Sequence, residues 1–139
     1  MNCWIHKSKC LYEPPEGEFG YVYLITNKKD GKIYVGKKQF THATKAKLSK
    51  KVIKSLNTRK RVVRGTKDSG WLNYFGSSKA LLADIQLLGE NNFSREILCF
   101  CKNKSELTYM EIHWQIHKEV FFNPSYNGWI GGKVFKSKL

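Results

Sequence analysis

Tyr23 and Tyr34, with Gly36 and Lys38 shortly after the second, and the carboxylate of Glu111 far along the chain, are the side chains here best suited to chemistry on a phosphate. Two phenols can position a water and relay its proton. A glycine lets a bulky anion approach the backbone, and a lysine supplies charge. Glu111 sits on the flank of an apolar helical stripe, one turn after Leu107 and one turn before Trp114 and Gln115. A lone carboxylate there suits a single Mg²⁺, which takes one or two protein carboxylates and keeps its waters and substrate oxygens. Each residue also has a plain reading. Tyrosine is favoured in strands, and a single Glu on a helix is ordinarily a solvated one.

The tyrosines must be placed by a hairpin. Tyr21–Thr26 and Lys32–Lys38 are apolar and β-branched runs around the polar tip Asn27-Lys28-Lys29-Asp30-Gly31, a hairpin signal. A two-residue loop pairs Tyr23 with Lys38, and a four-residue loop pairs it with Gly36. Either register puts Tyr23, Tyr34, Gly36 and Lys38 on one face, and a three-residue loop reverses this. Ahead of the hairpin, residues 1–18 read as an arm ending at Pro14-Pro15-Glu16-Gly17. Residues 43–58 read as a Lys-covered helix, 59–70 as a basic connector, and Trp71–Gly76 as an aromatic cluster assigned to no element. A second helix follows Ser77-Ser78, with Leu81, Leu82, Ile85 and Leu88 at helical spacing and Gly89 as its stop. Phe93 to Phe100 has strand composition and is expected to join the hairpin. A last helix starts near Asn103 or Ser105, carries Leu107, Met110, Trp114 and Phe121 on one face, and ends before Asn123-Pro124. The expected fold is α/β (α+β): a small three-stranded antiparallel sheet flanked by helices. One domain covers 19–139, with a basic insert at about 37–76.

The charge of +14 is concentrated. Between Lys37 and Lys67 stand twelve of the 25 Lys and Arg and not one acid, whereas bases and acids nearly balance elsewhere. Such a segment reads as a polyanion binder, with Lys37, Lys38, Lys50, Lys51, Lys54, Arg59, Lys60 and Arg64 as expected phosphate contacts. No apolar stretch is long enough to cross a bilayer, and the first residues lack a secretory signal's apolar run. A cytoplasmic location is expected, with reduced cysteines. Cys3, His6 and Cys10 offer three zinc ligands in an irregular spacing, a weaker reading than free thiols. His113 and His117 lie one helical turn apart, and His117 is expected on the core face.

Tyr21-Val22-Tyr23 and Tyr34-Val35-Gly36, followed in order by Ser77-Ser78, Leu81, Gly89, Phe93, Ile97-Leu98, Glu111, Tyr126-Asn127 and Gly131-Gly132, resemble the GIY-YIG nucleases over about residues 19–132. The likeness is to the phage-encoded, free-standing, homing-type endonucleases of that family. Tyr21 stands where the family usually has glycine, and a Lys-rich segment replaces the compact helix that usually bears an arginine. That arginine corresponds to Arg59, Arg61 or Arg64, and Arg61 is chosen; His42 and Tyr74 are stand-ins for a second position. The resemblance implies a metal-dependent endonuclease acting on double-stranded DNA, in the host cytoplasm if phage-encoded. Its catalytic set would be Tyr23, Tyr34, Arg61, Glu111 and Asn127, with one Mg²⁺ or Mn²⁺ on Glu111. By the same likeness, Tyr23 is base or relay, needing cations such as Lys38 to lower its pKa. Tyr34 positions the water, and Asn127 holds the site, although before Gly128 it also suits a plain turn. The alternative is a DNA-binding module that keeps the fold without the activity.

Overall fold

The computed structural model describes residues 2–47, 49–56, 62–131 and 134–138. Five strands form the central sheet: β1 (Trp4–His6), β2 (Lys9–Leu11), β3 (Gly20–Asn27), β4 (Ile33–Gln39) and β7 (Phe93–Cys101). Their spatial order is β2-β1-β7-β3-β4. The three strands expected from sequence are its centre and one edge. β3 and β4 pair antiparallel, with Tyr23 opposite Gly36 and Ile25 opposite Tyr34, so the four-residue loop is the one used. β7 flanks β3 on its other side, with a register shift between Val22 and Tyr23.

The segment read as an arm supplies the two further strands. β1 runs parallel to β7, with Trp4 beside Arg95, and β2 folds back on β1. Trp4 is fully buried, and its indole N–H donates to the Trp71 carbonyl at 2.6 Å. Cys3 and Cys10 form a disulfide across this hairpin. That corrects the expectation of free thiols and leaves neither sulfur for zinc. Cys99 and Cys101 remain free.

Helices cover the two faces. On one, α2 (Lys79–Leu88) presses Leu81 and Ile85 onto Tyr21, Tyr23 and Ile25, together with Phe40 and Trp71. Ser78 caps it by accepting from the Leu81 N–H at 3.3 Å, and Gly89, at φ 89°, ends it. On the other, α3 (Lys104–His117) packs Leu107 against Val22, Val35 and Cys101. Asn103 caps it through the Glu106 N–H at 2.8 Å. The helix stops at His117, short of Asn123-Pro124, and His117 is exposed. Its ring stacks on that of His113, centroids 6.0 Å apart, so the expected core position is corrected.

The insert contains a strand pair. β5 (Thr41–Lys47) pairs antiparallel with β6 (Val62–Asp68), where a helix and a connector were expected; among the described residues of 43–58, Lys50–Leu56, α1, is helical. Thr41-His42-Ala43-Thr44 and Val62-Val63-Arg64 carry β-branched residues that disfavour a helix, and the Ser49 hydroxyl, accepting from the Val52 N–H at 3.3 Å, starts the helix only there. A short ladder, β8 (Trp129–Ile130) with β9 (Val134–Phe135), follows near the end.

Gly36 serves a different purpose from the one its sequence setting suggests. A Cβ there would overlap the Tyr23 hydroxyl, lie 2.6 Å from Cζ of that ring and 3.0 Å from the Tyr34 ring. The glycine makes room for a phenol packed over the strand, not for an anion. Gly36→Ala is expected to cost about 1–3 kcal/mol by overpacking. Urea unfolding checks this as a lowered midpoint with an unchanged slope.

Candidate active site

β4 is the last strand of its sheet, and its outer edge is where the site forms. An open edge leaves backbone groups that need partners. Here the chain after α3 returns alongside. The Ile33 N–H donates to the Pro124 carbonyl at 3.1 Å, and the Tyr126 N–H donates to the Ile33 carbonyl at 2.7 Å. At Val35 a side chain takes over. Asn127 accepts from the Val35 N–H through Oδ1 at 2.9 Å and donates to the Val35 carbonyl through Nδ2 at 2.8 Å. Gln115 of α3 adds a donation to the same carbonyl at 3.2 Å.

Beyond that amide the edge is open, and a cleft of about 670 Å³ lies along it. Tyr23, Tyr34, Lys37, Ser77, Glu111 and Asn127 all line it. Strand alternation puts Tyr23 and Tyr34 on the α2 side of the sheet and Lys37 on the α3 side. A cleft wrapped around the edge strand takes side chains from both. Ser77, just before α2, pairs its hydroxyl with that of Tyr34 at 3.2 Å. The Lys37 ammonium donates to the Thr108 hydroxyl on α3 at 3.0 Å, close to Glu111.

Burial dominates the electrostatics. It pushes the Glu111 carboxyl above its ordinary value, against the pull of the Lys37 ammonium and of hydrogen bonding from the Lys37 backbone. Burial likewise raises Tyr34, offset in part by the Ser77 hydroxyl. Tyr23 is raised well above a normal phenol by burial and by its neighbours Tyr34 and Tyr74. The expected lowering of Tyr23 by Lys38 is therefore not found among the described residues. Lys38 lies outside the cleft lining, its ammonium 4.2 Å from the centre of the Tyr74 ring. Lys37 is the lysine that lines the cleft.

Of the expected catalytic residues, Tyr23, Tyr34, Glu111 and Asn127 meet in one cleft. Arg61 lies outside the described residues, as do Arg59 and Lys60. Lys50, Lys51 and Lys54 sit exposed on α1, and position 64 lies in β6. Ser77, Thr108, Gln115, Tyr126 and Trp129 were not singled out as site residues, yet they also line the cleft. For Gln115 the signal was present: it stands four residues after Glu111, on the same helical face. Tyr126 donates to Asp84 of α2 at 2.6 Å and accepts from Asn27 at 3.1 Å, tying the returning segment to both.

A metal ion would find one carboxylate here. Among the described residues no three His, Cys, Asp or Glu side chains gather as ligands. Gln115 Oε1, in the same cleft, is buried without a hydrogen-bond partner. One carboxylate, an orphaned amide oxygen and a cleft of this size fit an ion that keeps most of its waters.

The chain matches the family model "Putative endonuclease segE, GIY-YIG domain" over residues 4–130. That covers most of the chain, so the protein belongs to the GIY-YIG family. Its domain is of the endonuclease type, with DNA as the substrate class. The match begins inside β1, ahead of the stretch from which the likeness was first read. No curated protein and no solved structure matches the chain significantly.

The raised Glu111 carboxyl has a consequence for stability. An acid whose folded pKa lies above its unfolded value contributes fully below the unfolded pKa, about 4.3 for Glu. That contribution is lost as pH rises through the folded value. Glu111→Gln is therefore expected to melt at a higher temperature than wild type at about pH 7.5 without divalent ions. The gain should vanish toward about pH 4. Calorimetric scans across that range check it, and a lower melting temperature at the upper pH would show a carboxylate held by net favourable contacts.

Proposed function

We propose that this protein is a divalent-metal-dependent endodeoxyribonuclease that hydrolyses phosphodiester bonds of double-stranded DNA in the cleft along β4. The observation that carries this reading is the meeting of Tyr23, Tyr34, Glu111 and Asn127, distant in sequence, around one open strand edge beside the Lys37 ammonium. Lys37 neutralises non-bridging oxygens of the scissile phosphate. Tyr34, half-buried with its hydroxyl held by Ser77, positions the attacking water. Tyr23 stays protonated at neutral pH and acts as a relay, taking the proton of the attacking water as its own phenol proton passes to a non-bridging oxygen of the scissile phosphate. Asn127 fixes the backbone between Tyr34 and Gly36, and so the separation of the two phenols. Glu111, with the unpartnered Gln115 Oε1 in the same cleft, would hold a single Mg²⁺ or Mn²⁺, whose chemistry there would be charge stabilisation of the phosphate and the leaving 3′ oxygen. Lys38, Lys50, Lys51 and Lys54, with Arg59, Lys60 and Arg64, neutralise flanking phosphates. Arg61 is assigned to the transition-state charge.

Plasmid DNA with Mg²⁺ tests this. Wild type should cut, Glu111→Ala should abolish cutting, and Tyr34→Phe and Tyr23→Phe should slow it by about 10²-fold or more. Equal cutting by all four would remove the site assignment. Binding without cutting under any divalent ion would make the protein a binding module. With about six cations on duplex phosphates, the log–log salt slope of binding should be near −5.

A further inference from the structure

β5 and β6 form a ribbon that belongs to no larger sheet. A two-stranded ribbon is marginal in water unless a third strand or an apolar face supports it. Neither is present among the described residues. Thr41, Ala43, Lys45, Thr66 and Lys67 are all exposed, and His42 and Thr44 are half-buried polar groups.

Its root, by contrast, is fixed. Phe40, the one residue between β4 and β5, is buried against Trp71 with ring centroids 5.0 Å apart. The Ser69 N–H donates to the Phe40 carbonyl at 3.1 Å, its hydroxyl to the Gln39 carbonyl at 2.6 Å, and the Gly70 N–H to Asp68 at 2.8 Å. The ribbon thus leaves the body at a pinned point, following directly on the strand that carries Tyr34 and Lys37. At about 3.3 Å per residue, seven residues reach about 23 Å.

Charge and shape name the partner. The two strands hold Lys45, Lys47, Arg64 and Lys67 against one acid, Asp68, which is engaged with Gly70 at the root. The register makes two basic residues, at positions 45 and 64, cross-strand partners. Such pairs cost stability until an anion lies along them. The waist is slim: Thr44 faces Gly65, where a Cβ would lie 3.1 Å from the threonine hydroxyl. The DNA major groove, about 12 Å wide, admits a two-stranded ribbon, whereas the minor groove, about 6 Å wide, is too narrow. On the face that Ala43 shares with its partner Thr66 and with Lys45, Thr66 offers a hydroxyl to base edges and Ala43 a methyl to thymine.

We propose that the β5–β6 ribbon lies in the major groove of duplex DNA and reads bases there, with its length setting how far they lie from the cut. The proposal rests on the cleft being a nuclease site, and places the read bases within about seven base pairs of the cleaved bond.

Two measurements test it. End-sequencing of digested DNA should show a base preference at a fixed offset from the cut. Replacing residues 41–68 by Asn-Gly should erase that preference, since Phe40 and Ser69 already make the hydrogen bond that closes a two-residue turn. Thr66→Ala should weaken it at least about threefold, and decides the matter if the shortened protein does not fold. Separately, duplex binding by the Glu111→Ala protein should weaken at least about tenfold with methyl green, a major-groove ligand, and less than about twofold with netropsin, a minor-groove one. An unchanged cutting preference in the shortened or Ala protein, no preference in wild type, or stronger competition by netropsin would each overturn the ribbon's role. Major-groove binding by a wild type that never cuts would instead support the ribbon and remove the nuclease reading.

Discussion

One side-chain amide holds this site together. Asn127 offers Oδ1 and Nδ2 to the N–H and carbonyl of Val35 in the pattern a neighbouring strand would present. A sheet edge must satisfy its backbone groups or lose about 1–3 kcal/mol for each one buried unpaired. A sixth strand would meet that demand but would also cover the edge. An amide meets it at a single residue, and at Lys37 the Glu111 carboxylate meets it again, so side chains in place of a strand border the next stretch of β4. The cleft exists because the strand is satisfied by something so small. Tyr34 and Gly36 flank the pinned residue, so the two phenols inherit its fixed position.

An edge strand also explains how opposite faces of one sheet contribute to one site. Inside a sheet, Lys37 and Tyr34 would never meet, because neighbouring strands separate the faces. At the edge the two faces join. α3 brings Glu111 and Thr108 from one side, while Ser77 and the start of α2 bring a hydroxyl from the other. Burial then shifts the acid and both phenols toward their neutral forms. Such a site costs stability and is poised for cations, since positive charge would relieve the carboxylate that burial penalises. Costs of this kind are typical of functional sites.

The parts legible in the sequence were those governed by local rules. The hairpin and its two candidate registers followed from the Asp30-Gly31 tip, and α2 followed from Ser78 and Gly89. The order Tyr23, Tyr34, Glu111, Asn127 carried the family likeness and the cleft membership together. What escaped depended on tertiary context. Three-residue strands such as β1 and β2 have too little pattern to show, and only the seat of Trp4 beneath Trp71 explains why the chain start joins the sheet. Lysines at 45, 47, 50, 51 and 54 masked the change from strand to helix within the insert, since Lys suits either exposed surface. Lys38 was preferred over Lys37 on alternation alone, which is correct within a sheet and misleading at its rim. The outward turn of His117 reflects the helix ending early, before the apolar face is completed by Val120 and Phe121 in the following turns.

The same edge logic connects cleft and insert. β4 is shared: its first half is pinned by Asn127 and carries Tyr34, and its far end passes through Phe40 into β5. Phe40 and Trp71 are buried in the cluster that also contains Tyr21 and Tyr23. A force on the ribbon therefore reaches the packing around Tyr23 through two aromatic contacts, Phe40 with Tyr21 at 5.1 Å and Tyr21 with Tyr23 at 6.0 Å. Close-packed aromatic layers transmit small displacements poorly absorbed elsewhere. The root of the ribbon and the two phenols thus share one aromatic layer, which joins the proposed reading element to the proposed catalytic one.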